Sequence, residues 1–211
     1  MVTTKNSRTP GRPRRFDPEQ AVKTAQYLFH SRGYDAVSIA DLTKAFGINP
    51  PSFYAAFGSK FGLYTRVLER YNHTGAIPFT ALLRRDRPVA DCLIDVLNEA
   101  ARRYVADPTA AGCLVLEGTH CNDPEAREAA CDLHTAAENS IRAYIAEQHP
   151  QDAVRLTDFI STLMSGLSAK ARAGDSLERL QETVRLAGLA LKQLLPRDVG
   201  HTFPVGHRHS G

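Results

Sequence analysis

No stretch of the 211-residue sequence is apolar for long enough to cross a membrane as a helix. The first fifteen residues are polar and basic and lack the apolar segment of a signal peptide. The four cysteines, Cys92, Cys113, Cys121 and Cys131, include no C-x-x-C pair, which disfavours a zinc ribbon or a thioredoxin-type site. We therefore expect a cytoplasmic protein that needs no cofactor and keeps its cysteines as thiols.

Catalytic motifs and strand patterns are also missing. Residues 76–211 contain His, Ser and Asp in no recognisable nucleophile–base arrangement, and no useful run alternates between apolar and polar residues. Hydrophobic residues make up 43% of the chain, which is enough for a proper core. We expect an all-α binding protein, and the rival class is a small all-helical hydrolase or thiol enzyme.

What the sequence has is basic charge in its first third. Residues 1–75 contain 11 Lys and Arg against 5 Asp and Glu, whereas residues 76–211 contain 15 against 18. This asymmetry suggests that only the first third meets a polyanion. Arg12, Arg14 and Arg15 form a compact arm, which we expect to contact the minor groove or phosphates of DNA. A disordered solubilising tail is the alternative interpretation of this arm.

A helix-turn-helix is predicted at about residues 38–57. Ser38 is a good N-cap with Asp41 three residues later, and Gly47 ends this first helix. Asn49 can cap a second helix that has Pro50 at its first position. An ordinary helical hairpin with a buried aromatic pair is the commoner explanation of such a pattern, but the basic arm before it favours DNA binding.

The segment 16–71 resembles the DNA-binding domain of the TetR/AcrR family of bacterial transcriptional regulators. Two runs carry the resemblance, G-Y-D-A-V-S-I-A-D-L at 33–42 and G-I-N-P-P-S-F-Y-A-A-F-G-S-K-F-G-L at 47–63. It implies an N-terminal three-helix helix-turn-helix DNA-binding domain and a C-terminal helical ligand-binding and dimerisation domain. We place a flexible arm at 1–15, the DNA-binding domain at 16–74, the second domain at 75–196 and a disordered tail at 197–211.

The resemblance also implies which residues contact DNA. With the arginines of the arm, the expected contacts are Ser38, Asn49, Pro51, Ser52, Tyr54, Ser59 and Lys60. Tyr54 and Lys60 match positions that contact phosphates, and Asn49, Pro51 and Ser52 stand where a reader helix reaches base edges. Because the reader helix contains neither Arg nor Gln, sequence preference must come from few direct contacts together with DNA shape.

In the second domain we expect helices near 78–85, 88–106, 109–118, 124–148, 152–173 and 176–195. The last two are strongly apolar, and the resemblance implies that they pair with their copies in a four-helix dimer interface. The expected interface residues are Leu163, Gly166, Leu167, Leu186, Leu189 and Leu191.

A cavity among these helices is expected to accept a small, mainly hydrophobic effector, without any metal. Its candidate lining residues, each of which could instead be ordinary core, are Cys92, Val96, Tyr104, Cys113, Leu116, Leu133, Phe159, Ile160 and Leu163. We expect a repressor that the effector releases from its operator. An activator, or a regulator controlled by a protein partner, remains an alternative.

Two sensor hypotheses concern cysteine. The segment Gly112-Cys113-Leu114 resembles one found in a branch of the family that includes electrophile-responsive repressors, so Cys113 is a candidate redox or electrophile switch. A transition-metal site is conceivable at four soft ligands, which are His120, Cys121, Cys131 and His134, although their spacing is not a standard one. The C-terminal His201, His207 and His209 are better explained as part of an untethered tail.

Overall fold

The computed structural model describes residues 16–195, and these residues form ten α-helices and no β-strand. The helices are α1 Pro18–Arg32, α2 Ile39–Phe46, α3 Pro50–Phe57, α4 Lys60–Thr74, α5 Phe79–Leu82, α6 Val89–Tyr104, α7 Leu114–Gly118, α8 Pro124–Ala146, α9 Ala153–Arg172 and α10 Leu177–Leu194. The predicted all-α class is therefore confirmed. No helix within 16–195 has the length and apolar character that a membrane span requires.

The first three helices and α4 surround a small aromatic core. Phe29, Leu42, Phe53, Leu63 and Tyr64 are all essentially inaccessible to solvent. The α1 helix begins at the Asp17 cap, whose carboxylate accepts a hydrogen bond from the Glu19 amide. α1 packs along α4, so these two helices hold the helix-turn-helix of α2 and α3 on one side.

The remaining helices form a second layer of packing. α6 packs against both α9 and α10, α8 packs against α9, and the short α7 packs against α8. A single cluster of buried side chains joins α6, α8, α9 and α10, with Leu93, Leu97, Ile145, Leu156 and Ile160 near its centre. The last two helices, α9 and α10, begin and end within one residue of the predicted bounds.

The main difference from the predicted helices lies at 109–118, where the helix covers only Leu114–Gly118. The preceding residues form a turn in which the Asp107 carboxylate accepts hydrogen bonds from the amide and the hydroxyl of Thr109. Gly112 then adopts a φ of 81°, a left-handed conformation that interrupts a right-handed helix, and its amide donates to the Tyr104 carbonyl at 2.7 Å.

The core around the helix-turn-helix continues into the second half of the chain. Leu114, Cys121 and Ala126 are buried in the same cluster as Phe29 and Tyr64. Hydrogen bonds also cross between the halves, for example from the Asn122 amide to the Asp35 carboxylate at 2.8 Å. Helices α1–α4 and the helices of the second half of the chain therefore share a packed boundary.

Candidate nucleic-acid interface and effector cavity

The N-terminus of α2 is closed by a capping box. The Asp41 amide donates to Ser38 Oγ at 3.1 Å, and the Ser38 amide donates to the Asp41 carboxylate at 2.9 Å. The Ser38 hydroxyl also donates to the Asp41 carboxylate, at 2.7 Å. The hydrogen bonds that this carboxylate accepts from the Ser38 amide and hydroxyl, with a smaller contribution from Arg32, lower the pKa of Asp41 to about 2. Gly47 ends the helix in the left-handed conformation, so the predicted start and stop of α2 are both confirmed.

The α3 helix is anchored by aromatic side chains on one face and is open on the other. Phe53 and Phe57 are buried, with ring centroids 5.4 Å apart, and both pack near Phe46. The Asn49 side chain accepts a hydrogen bond from the Ser52 amide at 3.0 Å and so caps the helix as predicted. The outward positions carry small, proline or hydroxyl-bearing side chains, so this face has no charge of its own.

The N-terminus of α4 lies directly after α3. Ser59 caps it by accepting a hydrogen bond from the Gly62 amide at 2.9 Å. The Lys60 ammonium lies 4.0 Å from the centroid of the Tyr34 ring, and partial burial there lowers the pKa of Lys60. A phosphate contact by this lysine therefore requires the side chain to leave the ring, which forgoes about 0.5–1 kcal/mol of cation–π attraction.

The structure brings most of the predicted DNA-contacting residues to the starts of three consecutive helices. Five of them are exposed at or beside the N-termini of α2, α3 and α4, namely Ser38, Asn49, Pro51, Ser52 and Ser59, and Tyr54 is exposed in the middle of α3. Helix N-termini offer unpaired amide groups and a positive dipole end, which suits an anionic backbone. Arg12, Arg14 and Arg15 lie outside the described residues.

A cavity of about 320 Å³ opens between the end of α4 and helices α7, α8 and α9. Four of the predicted lining residues are on its wall, namely Tyr104, Cys113, Leu116 and Leu133. The other five predictions were wrong, since none of these residues lines this cavity. Cys92, Val96 and Ile160 are completely buried in the core, and Phe159 and Leu163 pack against that core.

The polar part of the cavity wall comes from three separate helices, and the sequence does not predict that they meet. Tyr71 and Asn72 reach it from α4, His134 and Glu138 from α8, and Ser161 from α9. A usable signal existed in α8, because residues 133, 137 and 141 recur at helical spacing and 134 and 138 lie beside them. Nothing in the local sequence, however, indicated that the end of α4 would face α8.

Cys113 lies on the cavity wall beside two tyrosines. The Tyr71 hydroxyl donates to the Cys113 Sγ at 3.6 Å, and the Cys113 amide donates to Ser168 Oγ at 2.9 Å. Burial first, and then the nearby thiol, raises the pKa values of Tyr71 and Tyr104 well above the usual phenol value. Both phenols are therefore neutral hydroxyls that can serve as donors at physiological pH.

The four soft ligands do not converge, so the hypothesis of a metal site formed by them was wrong. Cys121 is buried, with its thiol 3.5 Å from the Asp123 carbonyl, while the His134 imidazole instead lies 3.4 Å from Glu138. No group of three or more metal-binding side chains occurs within residues 16–195. Cys131 and His120 take part in no such group, and the three C-terminal histidines lie outside this range.

The predicted dimer residues divide between buried and exposed positions. Leu167 and Leu191 belong to the monomer's own core, at 2% and 0% exposure, so their assignment to an interface was wrong. Leu186 and Leu189 are 54% and 58% exposed on α10. Gly166 is exposed on α9 with open space around it, and Leu163 is half-buried against the core.

In this chain a helix-turn-helix with a capped second helix, α3, is joined to a helical domain that contains a cavity. This combination is typical of one-component DNA-binding regulators. Residues 21–67 match the family model described as bacterial regulatory proteins, tetR family. The chain is 59% identical over 195 residues to the HTH-type transcriptional repressor BdcR of Escherichia coli K12, covering 92% of this chain and 99% of that protein. The chain belongs to the TetR family of bacterial regulatory proteins.

Two further relatives support the assignment to this family. The HTH-type transcriptional repressor ComR of Escherichia coli K12 is 32% identical over 193 residues, covering 86% of this chain and 90% of that protein. A cysteine mutant of the TetR family regulator CifR, solved in complex with 26-base-pair double-strand operator DNA, has a TM-score of 0.76 at 32% identity. The match covers 85% of this chain and 99% of that one. The relatives are regulators, so the rival interpretation as an enzyme is set aside.

Proposed function

We propose that the protein is a homodimeric transcriptional repressor in the cytoplasm that binds a palindromic operator and is released by a small-molecule effector. The observation that carries this proposal is the exposed, uncharged face of α3 beside the capped N-termini of α2 and α4. The names of BdcR and ComR, and the operator complex of CifR, support repression through DNA. An activator would use the same DNA contacts but would increase transcription of the regulated gene instead of blocking it.

The reader helix is proposed to enter the major groove by its N-terminal end. Asn49, Pro51 and Ser52 would face base edges, and the exposed Tyr54 hydroxyl would donate to a phosphate. Because α3 brings no cationic side chain, affinity would depend on helix N-termini and on basic residues outside it, and preference would depend largely on DNA shape.

Dimerisation is proposed to occur through the outer faces of α9 and α10. The exposed Leu186 and Leu189 form an apolar area on α10, and the open surface at Gly166 on α9 allows close approach of another helix. A two-fold arrangement of two such chains can hold the α3 helices about 34 Å apart, one turn of duplex DNA.

The effector is proposed to act through α4, which joins the reader side to the cavity. Its first residue, Lys60, follows α3, and Tyr71 and Asn72 at its other end line the cavity. A molecule that binds more tightly to one position of the α4 end shifts the population of dimers toward that position. If the preferred position does not fit the operator, the DNA is released.

Operator binding can be tested with a matched pair of tyrosines. Tyr54→Phe removes one hydroxyl from the exposed face of α3 of each subunit, and a loss of operator affinity of about tenfold or more is expected, because each hydroxyl would donate to a charged phosphate. Tyr27→Phe is the control, because Tyr27 is similarly exposed but its hydroxyl contacts Thr109 in the second half of the chain. Fluorescence anisotropy on DNA from upstream of the gene, at several salt concentrations, measures both. Equal losses for the two variants, or no salt-dependent binding at all, would contradict the proposal.

The dimer can be tested with Leu189→Glu. The carboxylate would be stranded in the apolar interface, so light scattering should find monomers where the wild type forms dimers. Ala143→Glu places the same charge on the exposed side of α8 and should stay dimeric. A wild-type monomer at micromolar concentration, or a dimeric Leu189→Glu variant, contradicts the assignment.

A second candidate trigger is the Cys113 thiol, which is favoured by its place on the cavity wall. A quinone in the cavity would add the thiol across its activated double bond, forming a thioether and transferring the thiol proton to the ring. Cys113→Ser should then abolish quinone-induced release of operator DNA while leaving DNA binding intact. Unchanged release from this variant removes the idea.

A further inference from the structure

The cavity wall combines apolar side chains with a single acidic one. Ile77, Phe79, Leu116, Leu133 and Met164 contribute much of the apolar surface. Among the described residues that line the cavity, Glu138 is the one carboxylate, and neither lysine nor arginine is present. A ligand that enters therefore meets a fixed carboxylate that no lysine or arginine of the wall balances, and the neighbouring His134 pairs with it only when the imidazole is protonated.

The carboxylate of Glu138 is held by two neighbours through the same oxygen. Ser161 donates its hydroxyl to Oε1 at 2.5 Å, and His134 Nε2 lies 3.4 Å from that oxygen. Within residues 16–195, no side chain or amide donates a hydrogen bond to the other oxygen, Oε2. The Glu138 side chain keeps 27% of its surface exposed. The group is thus oriented by α9 and its own helix, and it retains an acceptor for a ligand.

We propose that the cavity selects a small amine with an apolar body, whose ammonium group donates to Glu138, and that it rejects the corresponding carboxylates. The inference rests on the effector function proposed above and specifies the chemistry of that effector. Charge-assisted hydrogen bonds to a pre-oriented carboxylate are strong in a partly desolvated site. An anionic ligand in the same place would meet like charge across a short distance, where water screens it poorly.

The selection can be measured by calorimetric titration of the full-length protein with probes that share a phenylethyl body and differ in the head group. 2-Phenylethylamine carries the ammonium, 2-phenylethanol a neutral donor and 3-phenylpropanoate the carboxylate, on the same apolar body. We expect the amine to bind at least tenfold more tightly than the carboxylate, with the alcohol between them.

Three variants identify the residue responsible. Glu138→Gln keeps the size of the side chain and the acceptor for Ser161. It should weaken amine binding about tenfold or more and reduce the difference in affinity between the amine and the carboxylate. Glu128→Gln, an exposed position on the same helix, should bind all three probes as the wild type does. Ser161→Ala retains the charge but loosens its orientation, so a loss of a few-fold is expected, and this variant serves if Glu138→Gln does not fold.

The inference is overturned if the amine does not bind, if amine and carboxylate bind equally, or if Glu138→Gln binds the amine as well as the wild type. Operator binding by the same preparations without any probe is measured in parallel by anisotropy. A protein that fails to bind operator DNA contradicts the proposed repressor function. A protein that binds the operator but shows no preference for the amine contradicts only the present inference.

Discussion

Arg172, near the end of α9, links the helix-turn-helix to the cavity domain through three contacts. Its Nη1 donates to the His30 carbonyl and to the Ala111 carbonyl, each at 3.1 Å. Its Nε lies 3.2 Å from the Glu117 carboxylate on α7. One guanidinium therefore joins the end of α1, the turn before α7 and α7 itself, and Arg172→Met removes all three contacts while keeping the apolar stem.

The expected loss of stability can be worked out from these contacts. Arg172 is about a quarter exposed, so we assign about 1 kcal/mol to each carbonyl hydrogen bond and about 0.5 kcal/mol to the ion pair, which is screened by solvent. The free energy of unfolding should fall by about 2–3 kcal/mol. Arg155→Met is the control on the same helix, since the Arg155 side chain is 59% exposed and pairs only with Asp152 nearby in sequence, and it should cost less than about 0.5 kcal/mol.

Urea denaturation followed by circular dichroism gives both values under the same conditions. Equal losses for Arg172→Met and Arg155→Met would refute the claim that Arg172 stabilises the boundary between the two halves. A two-step transition in Arg172→Met alone would support it, because the halves would then unfold separately.

Three further predictions concern single positions. Gly118→Ala should destabilise the fold by about 1–3 kcal/mol, because the new methyl overlaps the Tyr64 hydroxyl and approaches Ala130, and Tyr64→Phe in the same chain should recover part of the loss in urea denaturation. Burial lowers the pKa of His30 in the folded protein. Below about pH 6.5 the unfolded chain therefore binds this proton more readily than the folded one, and the free energy of unfolding should fall as the pH drops. A His30→Gln variant should lose this pH dependence. The pKa of Asp41 is lowered to about 2, so its contribution to the free energy of unfolding is present above pH 4 and lost between pH 4 and 2. Thermal denaturation should show that the stability difference between wild type and Asp41→Asn is constant above pH 4 and shrinks below it.

How far the sequence could predict the structure depended on the range of the interactions involved. Ser38 and Asn49 were assigned correctly as caps because capping involves residues only three apart. Cys92 and Leu191 were assigned to a cavity and an interface, yet both are core, since an apolar stripe shows that a face is buried but not what buries it. The cavity wall combines α4 with α8 and α9, a long-range arrangement that no local pattern encodes.

Long sequence separation also explains why the sequence does not reveal the role of Arg172 at the boundary between the two halves. It contacts a carbonyl 142 residues earlier, and arginine near the end of a helix is ordinarily a solvated cation. Gly112 is a local signal in the sequence, because a glycine before a short apolar run is typical of a break in a helix, and it favours a helix shorter than the predicted one at 109–118.

The helix α4 extends for 15 residues, about 22 Å, from the reader side to the cavity, but it supplies only Tyr71 and Asn72 to the wall. The acidic group and its two supporting side chains come from α8 and α9. In the proposed mechanism, the carboxylate that selects the effector and the helix that links the cavity to α3 therefore belong to different segments of the chain. If effector binding is engineered for a biosensor, this proposed separation would allow the cavity residues of α8 and α9 to be varied while α4 is left unchanged.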